Sequence, residues 1–534
     1  MNIYKLFKIL VLLLLLAAYA MGFARPIEFS NTDIGRHLQN GSLFLNQNIL
    51  PQTNFYSYTH PDFPVVNHHW GSGVIFFIIA KYLGFTYLSL LYLLLCLGAV
   101  ILMIRHSLKH TDFWPLASAM ALAWPIAISR TEIRPEGFSY LLAALYYYLL
   151  WQVKDKRLSL KWLYLLPFLQ VIWINLHIYF VIGIFIVFMF FLETLISSAL
   201  NKCKTKNSSI MSAIFYSLSG KLSTEDQQKF RRTLANVLML LLITCLLNPS
   251  GIKGALEPFV IFTSYGYRIV ENQSLFFMQR LFPSSELSYF STLLIISALS
   301  IATYLILASK QKESISIAEL LINLTFGIMA TLALRNFTLF GLFIIPLLAK
   351  SWTTCSRLKP SLISLPLVAA LILALIYKDI AINKYNRASI GLHGKTLAPL
   401  EFFQNNDLQG PIFNNYDIGA MLIYGLYPLE KVFVDNRPEA YPQEFFNNDY
   451  IPYQEDEKRW KEAEEKYKFN VIFFYRRDNT PWGQQFLINR VYDKTWAPVF
   501  VDHATIILLK RNALNEALIQ RFALPLTMFQ VKPN

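Results

Sequence analysis

The residues best suited to chemistry in this chain are acids, histidines and arginines set between apolar runs. Asp33 lies in a polar segment, Thr32-Asp33-Ile34-Gly35-Arg36-His37-Leu38. Its carboxylate suits proton abstraction from a hydroxyl, or ligation of a divalent cation. It is equally suited to cap a helix that begins at Ile34. His37 follows one turn later on the same face, a pairing that fits a proton relay or half of a metal site. His68-His69-Trp70 offers imidazoles to an anionic group or a metal. Neighbouring residues on a helix point apart, so at most one of these two rings is expected at any one site. Arg134 and Arg335, with Arg268 as a third choice, have the planar fork that clamps phosphate. Glu132, Glu136 and Glu271 are their counter-ions, as permanent salt bridges or as resting partners of a clamp. Asn175 and His177 complete the set.

The elements that carry these groups are not those of a soluble protein. Of 534 residues, 54% are hydrophobic and only 15% charged, against roughly 25% charged in soluble domains. Mean hydropathy is +0.38. Packed in water, such a chain would keep an oily surface. Disordered chains are polar, and four Cys, none in an outer loop, imply no disulfide framework. The net charge of +14 sits in short loops between apolar runs. It therefore marks membrane topology, and the expected partners are membrane lipids and not nucleic acid. A Walker loop, HExxH, a CxxC pair, GxSxG and a GxGxxG opening an α/β unit are all missing from the sequence.

Eleven apolar runs read as transmembrane helices: 7–24, 86–104, 113–129, 136–151, 160–174, 178–199, 233–248, 288–308, 316–333, 337–350 and 361–377. A further run, 71–84, is short and holds Lys81, and reads as a juxtamembrane or re-entrant helix. The positive-inside rule sets the orientation. With the N-terminus in the cytoplasm, the inner segments collect Lys5, Lys8, Arg105, Lys109, Lys154, Lys156, Lys310, Lys312, Lys350 and Lys359. The long loop 200–232 adds Lys202, Lys204, Lys206 and Lys221. The C-terminal region then lies outside an inner or plasma membrane. Lys5, Lys8 and Ala18-Tyr19-Ala20 also fit a cleaved signal peptide. The continuation of the run through Met21-Gly22-Phe23 favours an uncleaved anchor. On either reading the first loop, 25–85, is outside.

This orientation gathers the polar groups on one face. Of nine His, only His106 and His110 fall on the inner side. Ionisable groups at membrane depth are costly, so a one-sided cluster reads as a wet cavity floored by the bundle. Headgroup anchoring would place such residues on the inner face too, where the loops carry plain Lys and Arg.

Beyond 378 the pattern changes. Short apolar strands are expected at 411–413, 431–434, 470–474 and 504–509, with helices at 455–468 and 484–491. The expected fold class is a polytopic α-helical membrane protein, residues 1–377, with about eleven transmembrane helices and a large first outer loop. A C-terminal extracytoplasmic α/β domain, 378–534, follows. Asp417 and Asp435-Asn436-Arg437 come after its strands, where α/β sites form, or serve there as turn and cap residues.

Several short motifs carry a resemblance. They are the acid segment around Asp33 with Asn40-Gly41, the run Pro51–Thr59, Asn67-His68-His69-Trp70, Asn175-Leu176-His177 and Asn248-Pro249-Ser250-Gly251. Glu271-Asn272-Gln273-Ser274, Arg335-Asn336-Phe337, Phe413–Gly419 and Val434-Asp435-Asn436-Arg437-Pro438-Glu439 complete them. The chain resembles the GT-C class of polytopic membrane glycosyltransferases, in the bacterial branch related to protein O-mannosyltransferases and lipid A aminoarabinose transferases. The resemblance implies inverting transfer of a sugar from a polyprenyl-phosphate carrier to a lipid, glycan or protein acceptor at the outer face. It implies Asp33 as base with His37 beside it, and Arg134 or Arg335 on the donor phosphate. His68 or His69 would orient groups or hold a metal, and Glu136, Asn175, His177 and Glu271 would complete the substrate-binding set. Many class members carry two adjacent acids in this loop, whereas Asp33 is followed by Ile34, which leaves a divalent cation unassigned.

Two other functions compete. A transporter of lipid-linked glycans needs polar lining through to the inner face, and here polarity stops at the outer end. A non-catalytic assembly protein would bind through its C-terminal domain and would tolerate Asn in place of Asp33.

Overall fold

The computed structural model describes residues 3–130, 132–202, 224–261, 265–311, 315–358 and 365–529. Lys204, Lys206, Lys221, Cys203, Lys312 and Lys359 lie outside the described residues. Each of the eleven apolar runs is largely helical in its described part. The order is α1 (Ile3–Phe23), α2 (Ile34–Gln47), α3 (Trp70–Tyr82), α4 (Phe85–Ser107), α5 (Phe113–Ala127), α6 (Glu136–Lys154), α7 (Leu165–Leu176) and α8 (Phe180–Lys202). It continues with α9 (Thr224–Thr244), α10 (Gly251–Val260), α11 (Leu275–Leu281), α12 (Ser285–Gln311), α13 (Ile317–Leu332), α14 (Phe337–Leu358) and α15 (Leu365–Ile376).

Among the described residues, α1, α4, α8, α12 and α14 are long and apolar enough to cross a membrane. Leu6, Leu10, Leu13 and Leu14 of α1 are exposed, which only lipid makes tolerable. The protein is therefore a multi-pass membrane protein. With 13 residues, α3 reaches about 20 Å, short of the roughly 30 Å of hydrocarbon.

The centre of the bundle is α14, whose Leu342, Ile344, Ile345, Leu347 and Leu348 are fully buried. It packs along α5. A Cβ at Gly341 would stand 2.5 Å from the Ala127 backbone nitrogen, so only glycine allows these helices to approach this closely. The Arg130 backbone N–H donates to Thr338 Oγ1 at 3.1 Å. This joins the end of α5 to the start of α14 and brings the connections carrying Arg130 and Arg335 to one end of the bundle.

The C-terminal region holds α16 (Lys378–Asn386), α17 (Ala398–Asn405), α18 (Gly419–Leu426), α19 (Glu457–Tyr467), α20 (Pro481–Tyr492) and α21 (Glu516–Phe522). Its sheet has four strands, β1 (Ile412–Asn414), β2 (Val471–Tyr475), β3 (Trp496–Val501) and β4 (Thr505–Lys510), in the order β1-β2-β4-β3. The first pair is parallel and the others antiparallel. Three strands fall where the sequence places them. β3 departs from the expectation: Pro498 weakens its strand signal, and an edge position with a register shift between Pro498 and Phe500 is where a sheet accepts proline.

Residues 431–434 are a second departure, because they do not join the sheet. The Val432 N–H donates to the Tyr56 carbonyl at 3.0 Å, and the Tyr58 N–H to the Val432 carbonyl at 3.1 Å. The segment thus pairs with the first loop. With α18 lying on α2, it anchors the C-terminal region directly over Asp33.

Candidate functional site

The ends of several helices converge on a polar cavity of about 80 Å³. Asp33, His37, His68, His69, Arg134, Glu136, His177, Glu271 and Arg335 all line it, together with Arg36, Asn436 and Glu439. Of the expected site residues Asn175 is absent from its wall, as is Arg268, the third choice for a phosphate clamp.

Local sequence explains each placement. Asp33 occupies the N-cap position of α2 but makes no side-chain cap hydrogen bond. Its carboxylate is turned instead to Asn436, whose Nδ2 donates to Oδ1 at 2.5 Å, and to Arg134, whose Nη1 is 3.4 Å from Oδ2. Arg36 Nη2 stands 3.7 Å from Oδ1. The capping alternative is thereby corrected. Pro135 biases Arg134 away from helix and starts α6, so Glu136 lies in the first turn, where the helix dipole favours a carboxylate. A Cβ at Gly73 would be 2.7 Å from the His37 carbonyl oxygen, so glycine lets α3 close on α2. That contact sets the His37 and His69 rings 5.3 Å apart.

Both His68 and His69 line the cavity, against the expectation that at most one would. They lie in a turn ahead of α3 and not on the helix, with ring centroids 3.9 Å apart, so the helical divergence of neighbours does not apply. Arg268 is exposed and lies off the cavity.

The charged groups form one network. Arg130 Nη1 is 2.5 Å and Arg134 Nη1 3.1 Å from Glu271 Oε2, and Arg134 Nη2 is 2.7 Å from Glu132. Arg130 Nη2 and Arg335 Nη2 stand 3.1 and 3.5 Å from Glu136 Oε1. Arg335 also donates to Asn272 Oδ1 at 3.2 Å and lies over the Tyr179 ring. The expected salt bridges therefore exist. Burial opposes ionisation of Glu271, but Arg130 and Arg134 outweigh it and hold the carboxyl well below its usual range.

Burial, reinforced by the arginines, drives the histidines the other way. His37 and His69 are held well below the ordinary imidazole range. His68 and His177 are both lowered to about 3, with burial the leading cause. Burial thus favours the neutral form of all four rings. The His68 and His177 rings are hydrogen-bonded, through Nδ1, to the Val66 carbonyl at 3.1 Å and to Ser139 Oγ at 2.8 Å. The Tyr179 N–H approaches His177 Nδ1 at 3.4 Å. Ser139 Oγ, which accepts from Trp173 Nε1 at 2.7 Å, keeps its own hydrogen for the same nitrogen at 2.8 Å. This pattern assigns the proton to Nε2.

Glu439 behaves differently: burial pushes it up to about 7, with Arg36 opposing. A raised folded pKa means that the folded chain holds a proton the unfolded chain has released between roughly pH 4.5 and 7. Stability is then greatest below that window and declines through it as pH rises. Glu439→Gln is expected to raise the thermal midpoint more at pH 8 than at pH 5. An equal change at both pH values would show that Glu439 titrates as an ordinary carboxyl.

Asn175 is a bracket and not a cavity residue. Its Oδ1 accepts from Trp70 Nε1 at 2.7 Å, and its Nδ2 donates to the Leu247 carbonyl at 2.9 Å and the Val171 carbonyl at 2.7 Å. It ties α7 to the start of α3 and to the end of α9. A helix-end Asn looks the same in sequence whether it faces a ligand or a neighbouring helix. Asn175→Ala is expected to cost about 1 kcal/mol of stability and to leave turnover unchanged. Lost turnover at an unaltered melting temperature would return it to the site.

Sequence reasoning missed the parts played by Arg36 and Glu439, although both stand in the motifs quoted above. A divalent cation does not fit the donors here. Asp33, Glu136 and Glu271 each face an arginine nitrogen within 3.4 Å. Among the described residues the one convergent trio of potential ligands, Glu28, His393 and His503, is elsewhere.

No family model and no curated protein matches the chain. Solved structures do. The Archaeoglobus fulgidus oligosaccharyltransferase AglB, in complex with an inhibitory peptide and a dolichol-phosphate, aligns over 94% of this chain and 74% of its own, at 10% identity and TM-score 0.54. The same archaeal enzyme matches in its apo form, over 92% and 73%, with TM-score 0.56. Tethered to an acceptor peptide containing the NVT sequon, it matches over 95% and 74%, with TM-score 0.55, again at 10% identity. This chain therefore has the GT-C fold, a membrane-embedded helical body with a C-terminal domain, as its sequence motifs imply.

Proposed function

We propose that the protein is a glycosyltransferase that moves a sugar from a polyprenyl-phosphate carrier to an acceptor hydroxyl, at the outer face of an inner or plasma membrane. The observation that carries this reading is the setting of Asp33: its carboxylate lines a cavity that it shares with three arginines, four histidines and the carboxylates Glu136, Glu271 and Glu439. Residues 1–377 form the membrane domain, and residues 378–534 an outer domain that reaches the base through Asn436. The fold shared with an oligosaccharyltransferase solved with dolichol-phosphate supports the same donor chemistry.

In the proposed step, Asp33 takes the acceptor proton as the acceptor oxygen bonds to the anomeric carbon from the face opposite the phosphate. The bond between that carbon and the phosphate oxygen breaks with inversion, and polyprenyl phosphate leaves with the electron pair. Arg134 orients Asp33. Arg335, in the short connection between the apolar α13 and α14, neutralises the leaving phosphate, with His177 Nε2–H and His68 beside it. His37 lies a turn from Asp33 and shapes the pocket as a neutral ring. Glu271 occupies the arginine forks at rest. The cavity is far smaller than the roughly 300–1,000 Å³ of ligand pockets, so donor entry must displace the Glu271 bridges. Exposed Ile252, Leu256 and Phe259 of α10 and Phe276 of α11 give the polyprenyl chain an apolar approach beside the cavity.

Polyprenyl phosphate without sugar is the reaction product and tests the site directly. Titrated into nanodisc-embedded protein, it should bind and stabilise, whereas polyprenol of equal length should not. Equal effects of the two lipids would remove the phosphate site from the reading.

A further inference from the structure

A second cluster of ionisable groups lies apart from this site, on the wall of a larger cavity of about 1120 Å³. Glu28, His393 and His503 each present one ligand atom, all within 4.8 Å of one another. Glu28 Oε2 is 3.2 Å from His393 Nδ1 and 3.3 Å from His503 Nε2. These separations suit hydrogen bonds. They also match the edge of a tetrahedron around an ion with bonds of about 2.0–2.1 Å.

The two oxygens of Glu28 are used differently. Oε1 accepts from Phe29 N at 3.1 Å, Ser30 N at 3.3 Å, Ser30 Oγ at 3.0 Å and Thr396 Oγ1. Oε2 is left to the two imidazoles. An outer set of donors that fixes one oxygen and frees the other is how proteins orient a ligating carboxylate.

The backbones that bring the trio together are also fixed. The Ile27 N–H donates to the Gly391 carbonyl at 2.7 Å, and the His393 N–H to the Ile27 carbonyl at 2.9 Å, so residues 27 and 393 are held side by side. His503 sits in the β3–β4 turn. There Asp502 Oδ1 accepts from Ala504 N at 2.8 Å and Thr505 N at 2.7 Å. Three segments far apart in sequence thus bring three potential ligand atoms within 4.8 Å of one another.

We infer that Glu28, His393 and His503 form a binding site for a divalent transition-metal ion of the zinc type, with an open coordination position facing the large cavity. Two imidazole nitrogens and one carboxylate oxygen select zinc, cobalt or nickel over magnesium and calcium, which prefer all-oxygen sets. His503 is exposed and gives the ion a route in. Once bound, the ion cross-links the segment just before Asp33 to the C-terminal region and fixes the wall that Thr32 and Ile34 share with this cavity. The inference does not depend on the proposed transferase activity.

Full-length protein in detergent, stripped with a chelator, is titrated with Co²⁺ and then with Zn²⁺. One equivalent of Co²⁺ should bind, with visible ligand-field absorption that Zn²⁺ abolishes. Zn²⁺ should also raise the melting temperature. His393→Ala and His503→Ala should each weaken Co²⁺ binding by more than the roughly 10–100-fold typical of losing an outer partner. Thr396→Val should fall within that range. The metal-free variants should melt where the metal-free wild type melts, which separates lost ligation from misfolding. Wild-type protein that takes up no Co²⁺ would overturn the inference, as would uptake unchanged in the His393→Ala/His503→Ala double variant.

Discussion

Asp33→Asn is expected to lower turnover by roughly 10²–10⁴-fold, the contribution of a positioned general base, with little change in donor affinity. The substitution keeps the shape and the hydrogen bond from Asn436, because an amide oxygen still accepts. It removes only the basicity and the charge facing Arg134. The loss should therefore appear in kcat and not in KM for the donor. Asp33→Glu, which restores a carboxylate displaced by one methylene, should recover part of the rate. If Asp33→Asn turns over at the wild-type rate, Asp33 is not the base, and the assembly-protein reading gains what the transferase loses.

Arg335→Ala should cost roughly 10²–10³-fold in kcat/KM, the scale of removing one preorganised donor from a developing anion. Donor affinity should fall as well, since the guanidinium meets the phosphate before and after transfer. The substitution also strips a partner from Glu136 and from Asn272, so part of any loss is structural. Arg335→Lys separates the two effects. It keeps the charge that Glu136 requires but not the planar fork, so it should melt near the wild type while remaining well below it in kcat/KM. A Lys variant with full activity would leave Arg335 a structural counter-ion.

Much of the site was legible because its residues are expensive. An arginine, acid or histidine at the end of an apolar helix needs a reason, and the cavity supplies one for Arg134, Glu136, His177, Glu271 and Arg335. What failed was reasoning from secondary structure. The expectation that only one of His68 and His69 reaches the site rests on a helix where the chain makes a turn. Asn175 carried the same signal as its neighbour His177, yet its amide is consumed by Trp70 and by backbone carbonyls. Arg36 and Glu439 share the cavity wall only because the C-terminal region docks on the first loop, which no local pattern encodes. In the fold, the helices follow hydropathy, which is strong and local. β3 is hidden by Pro498, and residues 431–434 carry a strand-like pattern whose hydrogen-bond partner is the first loop. The Glu28–His393–His503 trio was beyond reach for the same reason. Its members are isolated in sequence and meet only because residues 24–29 run beside residues 389–396.

The claim that the protein cleaves a polyprenyl-phosphate sugar is tested most directly by donor consumption. Wild-type protein in nanodiscs is incubated with a panel of polyprenyl-phosphate sugars, and each donor is followed by mass spectrometry beside the Asp33→Asn variant. The account predicts that wild type converts one donor to polyprenyl phosphate, by transfer or by slow hydrolysis, and that the variant does not. A panel in which no donor is consumed or bound by the wild type would contradict it.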